Sequence, residues 1–264
     1  MPDDMTLPGH LVPAQPVSQP AEARDAVTVV LLRDGAEGVE AFLLRRVTGM
    51  AFAGGMTVFP GGGVDRRDAD TSVAWAGPLP RWWGEVFSVD ESLARAFVCA
   101  AVRETFEESG VLLAGPDATS VVADTSAYSE ARRQLVDREL SLAQFLASEG
   151  LVLRADLLRP WANWVTPREE PRRYDTRFFV AALPSGQKAD GETTEASDAS
   201  WQTPAAAVRD AKDGRRMLMA PTWRTLEEVG ALGSVEKVMA EQRSVEKIIP
   251  KLIRDGDVIR VVLP

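Results

Sequence analysis

The sequence predicts an α/β domain: a mixed β-sheet with helices on both faces, an α/β/α sandwich carrying helical insertions. Three observations predict it. Strand-like apolar runs recur at 27–33, 39–45, 161–165, 177–183, 199–202 and 258–263. Helical spacing fills the stretches 89–109, 128–149 and 204–211, with two further helical stretches before the last strand. At 264 residues, 45% hydrophobic and 26% charged, the chain is large enough for one enlarged domain with a proper core. Strands interleaved with helices bury their apolar faces by layering.

Taken in order, residues 1–24 form a leader with Pro2, Pro8, Pro13, Pro16, Pro20 and the sole histidine, His10. It has no apolar core of its own and is expected to be disordered; residues 25–264 make the domain. The strands 27–33 and 39–45 are joined by a hairpin loop, Asp34 to Gly38. Met56, Thr57 and Val58 read as a strand running into Phe59, Pro60, Gly61, Gly62 and Gly63. An insertion at about 66–92 comes next, rich in Trp75, Trp82 and Trp83 with Pro78 and Pro80, and is expected to pack as a rim over the site. Ser88 and Glu91 fit a capping box that starts the long helix. Leu93, Phe97, Val98 and Ala101 are its apolar side, and Gly110 is placed as its C′ residue. A second insertion, about 115–155, carries Ala131, Leu135, Leu140, Ala143 and Leu146 at helical spacing and reads as two short helices.

Charge and composition narrow the function. A net charge of -9 argues against nucleic acid or an anionic membrane as partner. With only His10 in the given sequence, histidine-dependent catalysis is not the expected chemistry. The single cysteine, Cys99, permits no intrachain disulfide and suits a reducing compartment. The sequence shows no signal-peptide pattern and no apolar run long enough to span a bilayer, so the expected location is cytoplasmic.

The chemistry is carried by Arg103, Glu104, Thr105, Phe106, Glu107, Glu108, Ser109 and Gly110. Positions i, i+3 and i+4 of a helix are neighbours, so Glu104, Glu107 and Glu108 crowd onto one stripe facing away from the core. A hard divalent cation, Mg²⁺ or Mn²⁺, relieves that repulsion and suits an all-oxygen donor set with phosphates and water. Upstream, the glycines after Pro60 let backbone approach a phosphate closely. Asp65, Asp68 and Asp70 read as solvated loop acids, and Arg45, Arg46, Arg168, Arg172, Arg173 and Arg177 are the cations available to an anionic substrate.

Together these pieces resemble the Nudix box, GX5EX7REUXEEXGU, and the chain is identified as a member of the Nudix hydrolase family. The resemblance implies a Nudix-type α/β/α sandwich that hydrolyses nucleoside diphosphates with a divalent metal. It implies metal binding by Glu104, Glu107 and Glu108, with Arg103 orienting a glutamate in the catalytic machinery. The 40 residues 63–102 separate Gly62 from Arg103 where the family has 13, so about 27 residues interrupt the box. Counting from Gly62 to the family's early glutamate reaches Asp68, so replacement of that glutamate by Asp65, Asp68 or Asp70 is the alternative to their being solvated loop acids. Interrupted boxes are similar to the coenzyme A and acyl-CoA diphosphatase branch, whose upstream motif matches Leu43, Arg46, Gly55, Phe59, Pro60, Gly61 and Gly62. Arg46, Phe59, Gly61 and Gly62 are thereby implied in substrate binding. Trp164 to Pro167 and Arg173 to Phe179 also resemble that branch, whereas Ala51 replaces its second arginine. Family members often carry a glutamate before a tryptophan-bearing strand, which makes Glu195, ahead of Glu192, the expected general base.

The expected reaction is metal-dependent hydrolysis of CoA or acyl-CoA to 3′,5′-ADP and (acyl-)4′-phosphopantetheine. A pyrophosphatase for ADP-ribose, NADH or another nucleotide derivative, and a nucleotide-binding regulator without hydrolysis, are the competing readings. The expected partner is a small CoA-like substrate, with homodimerisation left open.

Overall fold

The computed structural model describes residues 6–8 (backbone only), 20–49, 53–256 and 258–263. His10, most of the proline-rich leader, Ala51 and Pro264 lie outside the described residues. The strands are β1 (Thr6–Pro8), β2 (Arg24–Gly35), β3 (Gly38–Arg46), β4 (Thr57–Val58), β5 (Gly61–Gly63), β6 (Trp75–Ala76), β7 (Ala114–Gly115), β8 (Val152–Arg154), β9 (Leu158–Val165), β10 (Tyr174–Ala182), β11 (Ala196–Gln202), β12 (Lys247–Ile248), β13 (Lys251–Asp255) and β14 (Val258–Val262). The helices are α1 (Pro80–Phe87), α2 (Glu91–Ser109), α3 (Ser129–Val136), α4 (Leu142–Ser148), α5 (Pro204–Lys212), α6 (Ala220–Leu232) and α7 (Val235–Ala240).

The central sheet runs β11-β3-β2-β10-β9-β12, with β4 paired to β3 and β5 to β2. Alternation along its strands separates two cores. Val27, Val29, Leu31, Phe42 and Leu44 point to one face, against α1, α2 and α4. Val30, Leu32, Ala41 and Leu43 point to the other, against α5, α6 and α7. This is the three-layer sandwich the sequence predicts.

A split in the sheet positions the glycine-rich loop. Near their hairpin β2 and β3 pair directly, from Leu32 and Ala41 to Gly35 and Gly38. Beyond it they part, β4 occupying the edge of β3 at Leu44 and Arg45 and β5 the edge of β2 at Ala26, Val27 and Thr28. The Val29 amide donates to the Pro60 carbonyl at 2.8 Å, closing the gap. Backbone groups that the split would orphan are thus paired within the loop itself.

Several expectations need correction. Thr6–Pro8 of the leader pairs antiparallel with β14. Ser88 ends α1 in the left-handed region (φ 55°), and Asp90 caps α2 by accepting the Leu93 amide at 2.9 Å. The first insertion is more than a rim: Trp83 is fully buried, its ring 5.5 Å from Phe179 of β10, while Trp82 remains exposed. The two insertions also join, since β6 of the first pairs with β8 of the second in a small sheet completed by β7. Covered by α1 and by α3 and α4, α2 is buried from Ala96 to Phe106, so its carboxylates do not face open solvent as expected. Phe106 stacks on Phe145 of α4 at 5.5 Å. Gly110 ends α2 at φ 70°, donating to the Phe106 carbonyl, as expected of a C′ glycine.

Candidate metal centre

The last two turns of α2 press their carboxylates against the glycine-rich loop. The Gly61 amide donates to Glu108 Oε2 at 2.7 Å. A Cβ on Gly61 would collide with the Val27 carbonyl, and one on Gly62 would stand 2.5 Å from Glu104 Oε2. Gly61 therefore needs glycine to lie against β2, while a side chain at Gly62 would push the Glu104 carboxylate from its place.

Arg103 is the hub. Its Nε and Nη2 donate to the two oxygens of Asp68 at 3.0 and 2.9 Å, and Nη2 also to the Gly63 carbonyl at 2.9 Å. Its Nη1 donates to Glu104 Oε1 at 2.6 Å and to both oxygens of Glu107 at 3.3 Å. All five guanidinium N–H groups are used. Arg103 has nothing left to offer a substrate and acts by positioning the carboxylates around it. Burial alone would lower its pKa, but the bonds to Asp68 and the charge of Glu104 hold it above the ordinary value.

Asp68 is the residue that sequence reasoning undervalued. It is 3% exposed, and besides Arg103 it accepts the Asp65 amide at 2.8 Å in a capping box on the 3-10 turn Arg66–Ala69. The signal was present: it occupies the position at which the motif expects an acid. Asp70 is an exposed loop acid, as expected.

Glu104 and Glu108 are each 8% exposed. Burial pushes the Glu104 carboxyl up to about 7 against the pull of Arg103. It pushes Glu108 up to about 8, the charge of Glu104 adding to the effect. Burial raises Glu107 as well. The charges of Arg46 and Glu195 both reach Glu108. Arg46 and Glu195 are themselves joined at 3.1 Å, and the Val47 amide donates to the Glu195 carbonyl at 2.9 Å. Glu192 lies exposed, its amide on Asp190 Oδ1.

Among the described residues no three His, Cys, Asp or Glu side chains converge as a finished metal cage. Glu104 and Glu107 turn onto Arg103, and Glu108 onto Gly61. The donor set nonetheless fits a hard divalent cation, which takes a couple of carboxylates and completes its shell with water and phosphate oxygens. Five carboxylates, of Asp68, Glu104, Glu107, Glu108 and Glu195, stand against three guanidinium groups, of Arg103, Arg46 and, acting on Glu107, Arg138. Burial without full compensation drives the raised pKa values, and a bound cation would reverse it.

Other candidates fall elsewhere. Phe59 is 3% exposed within the core behind the sheet and so anchors the loop there. Arg177 is 3% exposed, lies over the Phe97 ring and pairs with Asp25 and Asp175. Arg173 donates to the carbonyls of Thr166, Pro167 and Ala21. Both hold strand ends together. Burial pushes the Cys99 thiol up to about 12, as for a core residue.

Comparison with known proteins agrees with this geometry. The sequence profile of the NUDT19 Nudix domain matches residues 83–227, more than half of the chain and including all of α2. A Caenorhabditis elegans relative is 30% identical over 207 residues, 75% of this chain and 57% of its own. A Xenopus laevis protein named acyl-coenzyme A diphosphatase NUDT19 is 25% identical over 224 residues, 71% of this chain and 58% of its own. The chain spans about three fifths of the length of such curated relatives. The crystal structure of a Nudix hydrolase from Alicyclobacillus acidocaldarius superposes with a TM-score of 0.70 at 26% identity, covering 85% of this chain and 98% of that one. With the matched profile, the shared sandwich and the glutamate turn on α2 in view, the chain belongs to the Nudix hydrolase family.

Proposed function

We propose that this protein hydrolyses the diphosphate bond of coenzyme A or acyl-CoA, giving 3′,5′-ADP and (acyl-)4′-phosphopantetheine. The observation that carries the reading is the buried carboxylate turn of α2 facing the glycine-rich loop, in a chain whose relatives include proteins named acyl-coenzyme A diphosphatase. Glu104, Glu107 and Glu108 hold the divalent cation, Mg²⁺ or Mn²⁺. When bound, the cation lowers the pKa of water and neutralises charge on the diphosphate. Arg103 fixes Glu104 and Glu107, and Gly61 fixes Glu108, so the carboxylates are set before substrate arrives. Gly62 leaves room for Glu104 and lets the chain lie close to the phosphates. Arg46 offers a guanidinium to the diphosphate, and Glu195 accepts the proton of the attacking water as the phosphoanhydride P–O bond breaks. The reaction belongs to a reducing, cytoplasmic setting.

A second reading rests on Ala51, which stands where the CoA branch has an arginine. Without that cation, ADP-ribose or NADH becomes the competing substrate. Mg²⁺-dependent hydrolysis of CoA, an acyl-CoA, ADP-ribose, NADH and ATP, with chromatography of the products, decides between them. Selective release of 3′,5′-ADP from CoA compounds supports the proposal; preference for ADP-ribose or NADH transfers the mechanism to the second reading.

A further inference from the structure

The second insertion reaches the reaction centre through one buried cation. Arg132 of α3 is 9% exposed. Its Nε donates to the Glu107 carbonyl at 3.0 Å, in the last turn of α2. Its Nη1 donates to both oxygens of Asp190, at 2.8 and 2.9 Å. The Asp190 amide in turn donates to the Ser109 carbonyl at 3.0 Å. A cation and an amide therefore satisfy carbonyls at the end of α2 that the helix itself leaves unpaired.

Gly110 makes this possible in a second way besides its left-handed backbone. A Cβ there would stand 2.8 Å from Asp190 Oδ2 and 2.9 Å from Arg132 Nη1. The closing glycine leaves the space in which the ion pair sits. Asp190 then organises the residues after it, accepting the Glu192 amide on Oδ1 at 3.0 Å. The Glu195 amide donates to Thr193 Oγ1 at 3.3 Å. Only residues 191–194 separate Asp190 from Glu195, which is fastened to β3 through Val47 and Arg46.

We propose that Arg132 and Asp190 are positioning residues: a clamp that ties the 190–195 loop to the end of α2 and so sets where Glu195 stands relative to Glu108. The clamp rests on the reading of Glu195 as the proton acceptor. A merely structural pair would hold α3 against α2. Here the anionic half belongs to the loop that carries the base, so losing it releases the loop, and a displacement of about 1 Å at a reacting group costs as much as ~100-fold in rate.

The test is a double-substitution cycle on Mg²⁺-dependent CoA hydrolysis, with Arg132→Gln, Asp190→Asn and Glu195→Gln singly and combined. Asp190→Asn, on a half-exposed loop, serves if Arg132→Gln fails to fold. Each of Arg132→Gln and Asp190→Asn is expected to lower kcat by about 10- to 100-fold with KM little changed, and Arg132→Lys to restore part of it. In the Glu195→Gln background the further loss should stay within about twofold, since residues acting through one another do not add. Losses that multiply in the double variants overturn the clamp. Full activity of Glu195→Gln overturns the base assignment instead. Hydrogen exchange gives a readout independent of activity: Asp190→Asn should speed exchange at 191–195 and leave β10 unchanged. Unchanged exchange at 191–195 also overturns the clamp.

Discussion

Glu108 and Glu195 sit close enough for their charges to interact, yet they are held in opposite ways. Glu108 is 8% exposed, bonded to a backbone amide on a buried helix, and pushed up to about 8. The Glu195 side chain keeps 52% of its surface exposed and is tethered by Arg46 on a loop without regular structure. On the proposed reading, in which Glu108 is a metal ligand and Glu195 the proton acceptor, the difference separates two tasks. A metal ligand must not move when substrate comes and goes, so packing fixes it. A proton acceptor must meet water and let its proton go, so contacts at the two ends of a short loop guide it while its carboxylate stays wet.

The greatest loss should come from the fixed side. Glu104→Gln or Glu108→Gln should lower kcat by ~1,000-fold or more, because the cation loses a charged ligand, with the circular dichroism spectrum unchanged. Near-normal turnover in both variants would remove the metal half of this contrast. Next, Glu195→Gln should lower kcat by ~100- to 10,000-fold while Mg²⁺ still raises the melting temperature as in the parent protein. Losing that thermal shift would make Glu195 a ligand and erase the distinction.

Asp68→Asn probes the support beneath the fixed side. It takes the charge from the pair that holds Arg103, and breaking a buried pair costs about 3–5 kcal/mol. Urea unfolding should show that cost, and a loss below about 1 kcal/mol would mean Arg103 is held by Glu104 and Glu107 alone.

A pH dependence is the mildest consequence. The Glu104 and Glu108 carboxyls start from 4.5 and are raised to about 7 and about 8 by folding. Folding therefore favours their protonated forms. Their contribution to stability is present below about 4.5 and is lost as pH rises through 7 and 8. In EDTA the melting temperature should fall across that window, and Glu108→Gln should flatten the fall. A melting temperature that rises from pH 5 to 8 in EDTA would contradict the direction.

What was legible in the sequence is what local chemistry enforces. The glutamate spacing, Gly110 at the end of α2 and the glycines at 61 and 62 each carry a short-range signal: the structure puts Gly110 at the helix end and the glutamates on one turn against the two glycines, though buried and not facing solvent. What was missed arises at a distance. Asp68 reads as a loop acid until Arg103, 35 residues on, reaches it. Arg132 and Asp190 are 58 residues apart and meet only because α3 folds back over α2. Phe59 keeps its motif position, but it points into the core opposite α2. Trp83 looks like surface in a proline-rich insertion, and only α1 packed between α2 and β10 shows it to be core. The short β12 and β13, exposed and charged, carry no alternation strong enough to announce them.

The mechanism stands or falls on whether the glutamate turn of α2 binds the divalent cation. Mn²⁺ titration followed by electron paramagnetic resonance, on the parent protein and on Glu104→Gln and Glu108→Gln, reads that binding without relying on turnover. The expected result is a bound-Mn²⁺ population in the parent protein that is weakened at least ~10-fold in either variant and displaced by Mg²⁺. Equal Mn²⁺ binding by all three proteins would place the cation elsewhere and contradict the metal assignment.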